Sequence, residues 1–324
     1  MNKNVLLTVN YKGAPLEIVK QLIPKEFNLI TMESNDHQEL VELAGSADYI
    51  IASGNLKIDE KVLDSAVNLK MIQRVGVGLD SLDMSELKKR NIPAYVNPGL
   101  NANSVAEHAL LLILACLRRL TLISNNTKNG IWKKQEQGVT TRELANQTVG
   151  IIGFGNIGRR VGDLLKPFGC RIIYYDQRRL SRDEEAARGV EYMSLEDTLK
   201  SADVITLHCP LTDDTKELIS KKTISSMKPG VIIVNTARGK LINESDLLEA
   251  LENEKVGFAG LDVFCSEPLN DLKLVSHEHV VCTPHIAGNS FDSFSLMIGS
   301  AVKNVKAFDE GRLTEIEKFR IQYD

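Results

Sequence analysis

The chain lacks an apolar run long enough to cross a membrane, because its longest run, Ala109–Leu117, falls well short of the roughly 18 residues that a span requires. The apolar run that follows Met1 is likewise too short for the core of a signal peptide. Low-complexity segments, long linkers and internal repeats are absent as well. These absences argue against a membrane protein and predict a soluble, cytoplasmic one.

Paired cysteines and an excess of charge are also missing. The five cysteines, Cys116, Cys170, Cys209, Cys265 and Cys282, form no CxxC pair, which predicts reduced thiols rather than a disulfide framework. A net charge of −4 offers nucleic acid or an anionic membrane no basic field to bind. The segment His277-Glu278-His279 has metal-ligand residue types but no third partner, so a solvated loop is predicted and no metal is expected.

The chain does have a regular alternation of short β-type runs with helical patterns. Its 324 residues suffice for about two domains of roughly 150 residues each. The alternation predicts parallel sheets, and therefore an α/β fold with two doubly wound parallel-sheet domains. Strands are predicted at Val5–Val9, Leu29–Met32, Tyr49–Ala52, Met71–Val75, Tyr95–Asn97, Val149–Ile152, Arg171–Tyr175, Val204–Leu207, Val231–Asn235, Phe258–Val263 and Val280–Thr283, and helices include Leu16–Leu22, Asp59–Ala66, Asp83–Arg90 and the tail from Phe291 to about Phe308.

A long apolar helix separates the two series of strands. Ser104 and Glu107 have the spacing of a capping box, in which the two side chains accept hydrogen bonds from backbone N–H groups at the start of a helix. The helix is predicted to run from Ser104 to Arg119, whose charge suits the C-terminal end of the helix dipole. So apolar a helix must bury most of its surface, against the domains or against a second subunit.

A glycine turn, Gly153-Phe154-Gly155-Asn156-Ile157-Gly158, follows the predicted strand Val149–Ile152 and opens an amphipathic helix. In a dinucleotide-binding turn the first glycine permits the tight bend, the second admits the phosphates, and the third lets helix and strand pack closely. The helix N-terminus supplies N–H groups and a positive dipole end for the pyrophosphate. A GxGxxG pattern alone fits a flexible loop equally well, but the flanking strand and helix favour a bound dinucleotide.

Asp176 completes this pattern at the end of the next predicted strand, 18 residues after Gly158. A carboxylate near this distance binds the ribose hydroxyls of the adenosine and would repel the 2′-phosphate of NADP. Arg178 and Arg179 stand nearby, and an arginine there can accept that phosphate. NAD is therefore predicted, with NADP left open; an ordinary turn acid is the other reading of Asp176.

Three further segments after the glycine turn, in this order, resemble the D-isomer-specific 2-hydroxyacid dehydrogenases. They are Val234–Gly239, Gly260–Pro268 and Thr283–Gly288. The resemblance extends from about Tyr49 to about Gly288 and includes Arg74–Gly78, Asn103–His108 and Leu207–Thr212. Each segment is loose alone, but the ordered set is specific and is similar to phosphoglycerate dehydrogenases and to glyoxylate and hydroxypyruvate reductases.

The resemblance implies a catalytic triad of Arg238, Glu267 and His285. A planar, permanently charged guanidinium suits Arg238 to binding the substrate carboxylate. His285 would exchange a proton with the substrate oxygen as hydride is transferred. Glu267 would hydrogen-bond the other ring nitrogen and raise the pKa of the imidazole. Taken singly, the three residues fit a surface ion pair, a turn and a loop histidine, but all three follow predicted strands of one sheet.

The resemblance also implies a Rossmann NAD-binding domain at residues 101–287 and a flavodoxin-like substrate domain at residues 1–100 and 288–324, assembled as a homodimer. Beyond the glycine turn and Asp176, NAD would contact Ser104, Cys209, Pro210, Thr215, Thr236, Ala237, Asp262 and Gly288. The 2-oxo or D-2-hydroxy acid would contact Ser53, Gly54, Gly76 and Val77, as well as Arg238 and His285.

The substrate is left open between phosphorylated and unphosphorylated acids. Family members that act on phosphorylated acids often carry an Arg-Ser pair after the third strand, where this chain has Ala52-Ser53-Gly54-Asn55. A small acid such as glyoxylate, hydroxypyruvate or pyruvate is therefore favoured over 3-phosphoglycerate. An NADH-sensing binding protein of the corepressor type can keep the whole triad and stays open. A Cys–His hydrolase built on Cys265 or Cys282 would leave the glycine turn without a purpose.

Overall fold

The computed structural model describes residues 2–54 and 56–323; Asn55 lies outside them. The strands are β1 (Lys3–Leu7), β2 (Phe27–Thr31), β3 (Tyr49–Ala52), β4 (Met71–Arg74), β5 (Ala94–Val96), β6 (Thr148–Ile152), β7 (Arg171–Tyr175), β8 (Glu191–Tyr192), β9 (Val204–Leu207), β10 (Val231–Asn235), β11 (Val256–Leu261) and β12 (Val280–Cys282). The helices are α1 (Ala14–Leu22), α2 (His37–Ala44), α3 (Glu60–Ser65), α4 (Met84–Lys89), α5 (Ala102–Leu117), α6 (Leu120–Lys128), α7 (Lys134–Gly138), α8 (Asn156–Leu165), α9 (Arg182–Arg188), α10 (Leu195–Ser201), α11 (Lys221–Ser226), α12 (Glu244–Glu252), α13 (Phe291–Asp309) and α14 (Leu313–Ile316). Short 3-10 turns lie at Leu144–Asn146, Lys166–Phe168, Gly239–Leu241 and Glu317–Phe319.

The predicted α/β fold is confirmed. Every predicted strand is present with its ends within two residues of the prediction, and the two-residue strand β8 has no predicted counterpart. Several helices begin at a polar side chain that caps them; for example, the carboxylates of Asp59 and Asp83 accept hydrogen bonds from the first turns of α3 and α4. The sequence predicts both residues as the first of their helices, one residue before the observed starts.

The start of α5 differs from its prediction. The helix begins at Ala102, so Ser104 lies inside its first turn, and the predicted capping box with Glu107 is wrong. The Ser104 hydroxyl instead donates to the carbonyl oxygen of Ala287 at 2.7 Å. Local spacing cannot reveal this partner, because it lies 183 residues further along the chain.

The first compact unit comprises Met1–Asn101 and Phe291–Asp324. Its five strands are all parallel, in the order β2-β1-β3-β4-β5. Apolar clusters cover both faces of the sheet, one of them formed with α13. A buried amide network fixes α13 in place, since Asn304 donates to the side-chain oxygens of Gln73 and Asn97 at 3.0 and 2.8 Å.

The second compact unit, Ala102–Ser290, has a seven-stranded parallel sheet in the order β12-β11-β10-β9-β6-β7-β8. Two large apolar clusters bury its faces. The helix α5 packs on α8, β10 and β11, and a Cβ on Gly260 would already lie 3.0 Å from the Cβ of Leu112. The apolar face of α5 is therefore buried within this unit. Across the described part of the chain, no helix combines the length and the apolar character that crossing a membrane requires.

Candidate active site

The glycine turn Gly153–Gly158 leads from β6 into α8. Gly153 has φ +91°, and a Cβ there would lie 2.5 Å from the backbone nitrogen of Cys209. A Cβ on Gly158 would lie 2.1 Å from the carbonyl oxygen of Gly153, so the close packing of helix against turn requires glycine. Beside Gly155, by contrast, no described atom outside this residue and its two chain neighbours comes within 4 Å of the Cβ position. The turn thus leaves open space at the N-terminus of a helix, which fits a pyrophosphate.

Asp176, at the end of β7, fixes this turn through its carboxylate. Oδ2 accepts a hydrogen bond from the backbone N–H of Phe154 at 2.6 Å, and Oδ1 accepts one from that of Arg178 at 2.9 Å. Nearby, Arg179 donates to both carboxylate oxygens of Glu185, at 2.8 and 2.9 Å. The guanidinium of Arg179 is therefore engaged within the protein.

Further residues predicted to hold the dinucleotide line the ends of the neighbouring strands. Thr236, just beyond β10, is buried, and its Oγ1 has no hydrogen-bond partner among the described residues. After β9, the Thr215 hydroxyl donates to the carbonyl oxygen of Pro210 at 2.7 Å and shapes the loop. Asn156 and Ile157 are the first two residues of α8, where backbone N–H groups are available to a ligand. An unpaired buried hydroxyl and an open helix start fit the dinucleotide.

The loop that carries Arg238 is held from inside by Asn235, the buried last residue of β10. The Asn235 side chain accepts a hydrogen bond from the N–H of Ala237 at 3.0 Å and donates to the carbonyl oxygen of Arg238 at 2.8 Å. Arg238 is half-buried, and its Nη1 donates to the carbonyl oxygen of Ala237 at 2.7 Å. The following residue, Gly239, lies so near the next loop that a Cβ would be 1.9 Å from the carbonyl carbon of Phe264.

Glu267 connects this second loop to His285. Its Oε1 accepts a hydrogen bond from the backbone N–H of Phe264 at 3.0 Å, and its Oε2 lies 2.6 Å from Nδ1 of His285. The hydrogen bond to Glu267 raises the pKa of His285, and the negative charges of Glu267 and Asp262 add to the rise. Partial burial and the positive charge of Arg238 act in the opposite direction. The imidazole is thus biased toward its protonated form.

The loop after β12 presents His285 in a left-handed backbone conformation, with φ +55°. The N–H of His285 donates to the carbonyl oxygen of Asp262 at 2.8 Å. The fully buried Asp262 carboxylate accepts from the Thr283 hydroxyl at 2.6 Å and from the N–H groups of Ile286 and Ala287, both at 2.9 Å. Asp262 therefore organises the whole loop from within, and the predicted cofactor contact of this residue stays a prediction.

In the first unit, the predicted substrate residues follow neighbouring strands. Ser53 and Gly54 come after β3, and Gly76 and Val77 come after β4, so all four lie at the same edge of the sheet. The Ser53 hydroxyl lies 2.7 Å from the hydroxyl of Tyr11, which follows β1 at that edge. Tyr11 was not predicted as a site residue, although its position after a central strand is a usable signal.

Three other histidines, His208, His277 and His279, are not arranged as proton donors to a substrate. Burial lowers the pKa of His208 to about 3, and its Nε2 pairs with the Thr206 hydroxyl at 2.8 Å, so the ring is neutral at physiological pH. The ring of His279 stacks on Phe258 at 4.5 Å, and the backbone N–H of His279 donates to Nδ1 of His277. Among the described residues, no group of three or more His, Cys, Asp or Glu side chains is arranged to hold a metal ion.

Comparison with known proteins identifies the family to which this arrangement belongs. The family model described as the NAD-binding domain of D-isomer-specific 2-hydroxyacid dehydrogenases matches residues 110–287. The chain belongs to the D-isomer-specific 2-hydroxyacid dehydrogenase family. The hydroxypyruvate reductase of Thermotoga maritima is 39% identical over 86% of this chain and 90% of its own length. The glyoxylate reductase of Thermococcus litoralis is 36% identical over 85% of this chain and 84% of its own.

Solved structures agree with this assignment. The crystal structure of the D-lactate dehydrogenase from Aquifex aeolicus, complexed with NAD and lactic acid, superposes with a TM-score of 0.84 at 31% identity, over 98% of this chain and 99% of that one. This dehydrogenase is therefore an NAD-dependent oxidoreductase that transfers a hydride between nicotinamide and a 2-hydroxy or 2-oxo acid. The predicted family, fold, enzyme class and cofactor are confirmed.

Within this dehydrogenase, the residues predicted to act together lie on adjoining loops of the second unit: Arg238, Glu267 and His285 follow β10, β11 and β12. Ser104 donates a hydrogen bond to the carbonyl oxygen of Ala287, and Gly288 follows Ala287 in the sequence. The roles of all these residues stay predictions. The sequence interpretation missed Gly239 and Asn235, although both lie inside the segment Val234–Gly239 that carries the resemblance.

Proposed function

We propose that this dehydrogenase reduces a small, unphosphorylated 2-oxo acid with NADH and, in reverse, oxidises the D-2-hydroxy acid. The contact that carries the proposal is the one between His285 Nδ1 and Glu267 Oε2, at 2.6 Å. When the imidazole is protonated, its Nδ1–H donates to the carboxylate, which directs the Nε2–H toward the substrate oxygen. Arg238 binds the substrate carboxylate and draws electron density from the neighbouring carbonyl.

The second unit would hold NAD, and the first unit would select the substrate. The turn Gly153–Gly158 receives the pyrophosphate, Asp176 binds the adenosine ribose, and Thr236 offers its unpaired hydroxyl toward the nicotinamide half. The bound cofactor supplies or accepts the hydride. The chain's own residues orient the reactants and move one proton, at Nε2 of His285. The two roles follow the predicted domains: residues 101–287 would bind NAD, and residues 1–100 with 288–324 would bind the substrate.

The first unit supports an unphosphorylated substrate. The segment after β3 carries Ser53 and Gly54 where phosphate-binding relatives often have arginine. The arginine at this edge, Arg74, donates to the carbonyl oxygens of Gly54 at 3.0 Å and Gly78 at 2.9 Å, so these donors serve the backbone. Relatives named hydroxypyruvate reductase and glyoxylate reductase match this chain at 39% and 36% identity, and the D-3-phosphoglycerate dehydrogenase of Mycobacterium bovis matches it at 36%.

The test is a screen of NADH oxidation against glyoxylate, hydroxypyruvate, pyruvate and 3-phosphohydroxypyruvate, repeated with NADPH. We expect turnover on the order of 1 per second or faster with at least one unphosphorylated acid. His285→Ala should lower kcat by about 100-fold to 10,000-fold while NADH still binds, because general acid catalysis is lost. His277→Ala is the matched control and should keep the wild-type rate. Absence of turnover with the three unphosphorylated acids would refute the proposal. Activity with 3-phosphohydroxypyruvate alone would favour the phosphorylated substrate, and no activity with any of the four acids would favour an NADH-sensing binding protein.

We also propose a cytoplasmic homodimer. The segment after α5 exposes large apolar side chains: Leu120 is 54%, Trp132 81% and Val139 82% exposed. Large apolar side chains that form a contiguous exposed patch are typical of an interface, and we infer that these three contact the partner subunit. All five cysteines are free, which suits a reducing compartment.

A further inference from the structure

Two polar side chains of α5 contact the loop that carries His285. Ser104 and His108 are four residues apart, so they lie on one face of the helix, one turn from each other. The Ser104 hydroxyl donates to the carbonyl oxygen of Ala287 at 2.7 Å, beyond His285 in the chain. Nε2 of His108 lies 2.9 Å from Oγ1 of Thr283, before His285. The helix therefore contacts this loop on both sides of the proton donor.

The hydrogen atoms in this contact have one consistent arrangement. The Thr283 hydroxyl has a single proton, and the Asp262 carboxylate, 2.6 Å away, can only accept when it is ionised. Thr283 must then donate to Asp262 and accept from His108, which fixes the proton of a neutral His108 on Nε2. His108 is mostly buried, with 14% of its side chain exposed, and Nε2 lies 3.7 Å from Oδ1 of Asp262. A directional chain thus runs from His108 through Thr283 to Asp262.

This chain ends on the backbone of the proton donor. Asp262 accepts from the N–H groups of Ile286 and Ala287, and its carbonyl oxygen accepts from the N–H of His285. The left-handed conformation of His285, with φ +55°, is unfavourable for a non-glycine residue and persists only where surrounding contacts enforce it. Three hydrogen bonds to one buried aspartate supply that enforcement.

We propose that His108 is a positioning residue: through Thr283 and Asp262, it holds the His285 loop in the geometry that proton transfer requires. His108 touches neither substrate nor cofactor in this role. The inference rests on the proposed function for its kinetic consequences, but the chain of hydrogen bonds also has a consequence that needs no turnover. If the chain holds the loop, removing its first donor must loosen the N–H groups that Asp262 accepts.

The test uses three single variants of the chain, one double variant that combines two of them, and one control. His108→Leu keeps the bulk and removes the donor, whereas His108→Gln keeps an Nε2 donor at a similar reach. Thr283→Val interrupts the chain one step later with a side chain of the same shape. Leu111→Ala, on the exposed side of the same helix, is the matched control. Each variant is measured for kcat, for KM of the 2-oxo acid and of NADH, and for amide hydrogen exchange at Ile286 and Ala287.

We expect His108→Leu to lower kcat about tenfold, because the loss of one hydrogen bond corresponds to a rate change of about that size. Neither KM should change much. Exchange at Ile286 and Ala287 should accelerate. His108→Gln should restore both readouts. The double variant, His108→Leu with Thr283→Val, should lose no more than Thr283→Val alone, because both changes interrupt one chain.

A His108→Leu protein with wild-type kcat and wild-type exchange would overturn the inference, and so would losses that add in the double variant. If His108→Leu does not fold, His108→Asn, whose shorter amide does not reach Thr283, takes its place with the same two readouts. If the wild-type protein turns over none of the 2-oxo acids, the proposed function fails, and the exchange measurement still judges the role of His108.

Discussion

Gly239 offers a test of how the catalytic loops are spaced. In Gly239→Ala, the new Cβ would lie 1.9 Å from the carbonyl carbon of Phe264, where ordinary contact begins at about 3.4 Å, so the two loops must separate by about 1.5 Å. The N–H of Phe264 donates to Glu267, and Glu267 in turn orients His285. Because a misplacement of about 1 Å can cost about 100-fold in rate, kcat should fall by at least about that factor.

The assay is NADH oxidation with the best 2-oxo acid of the screen, together with NADH binding by fluorescence titration. NADH should still bind, but more weakly, since the glycine turn and Asp176 lie on other loops whereas Thr236 and Ala237 lie on this one. Gly138→Ala is the control, because no described atom lies within 4 Å of that Cβ position. A folded Gly239→Ala protein with wild-type kcat would refute the reasoning. Should this variant not fold, Glu244→Gln perturbs the same loop more gently, since Glu244 accepts from the N–H of Cys265 at 2.7 Å.

Three further predictions concern the proton donor, the cofactor and the assembly. Glu267→Gln removes the charge that raises the pKa of His285. Because reduction needs the protonated ring, the pH above which the reduction rate falls should become lower. An unchanged pH profile would contradict this. Asp176→Ser should raise the KM for NADH about tenfold or more and so reduce the enzyme's preference for NADH over NADPH. An unchanged ratio of the KM for NADPH to the KM for NADH would argue against the ribose contact. Trp132→Ser should shift sedimentation toward monomer, whereas Val67→Ser, equally exposed in the first unit at 79%, should not; a monomeric wild type would contradict the dimer.

Much of the fold was predictable because it depends on local patterns. Buried parallel strands are short apolar runs, and β3, β7, β9 and β10 begin and end at their predicted residues. The grouping of Arg238, Glu267 and His285 on adjoining loops was also predictable from the sequence. Each follows a strand, and the carboxyl ends of parallel strands share one edge of a sheet.

What the sequence could not show depends on distant partners. The Ser104 hydroxyl has the spacing of a helix cap, yet it donates to Ala287, and no local pattern announces a contact across 183 residues. The same holds for His108 and Thr283, which are 175 residues apart. The hydrogen bond from Arg179 to Glu185 could not be predicted either, because it depends on the conformation of the turn after β7. The strand β8, with two residues, is too short to have a pattern at all.

The side chains proposed to be catalytic are exposed to solvent in part, but the groups that fix their loops are buried. His285 has a 44% exposed side chain, while Asp262, which accepts three hydrogen bonds around it, is fully buried. The same relation holds for Arg238 and the fully buried Asn235. A reacting group must meet substrate, so its own packing cannot hold it rigidly. Rigidity then has to come from a polar residue at a strand end, where the sheet fixes the backbone. The rate should therefore depend on residues that never touch the substrate, and His108 extends that dependence by two hydrogen bonds.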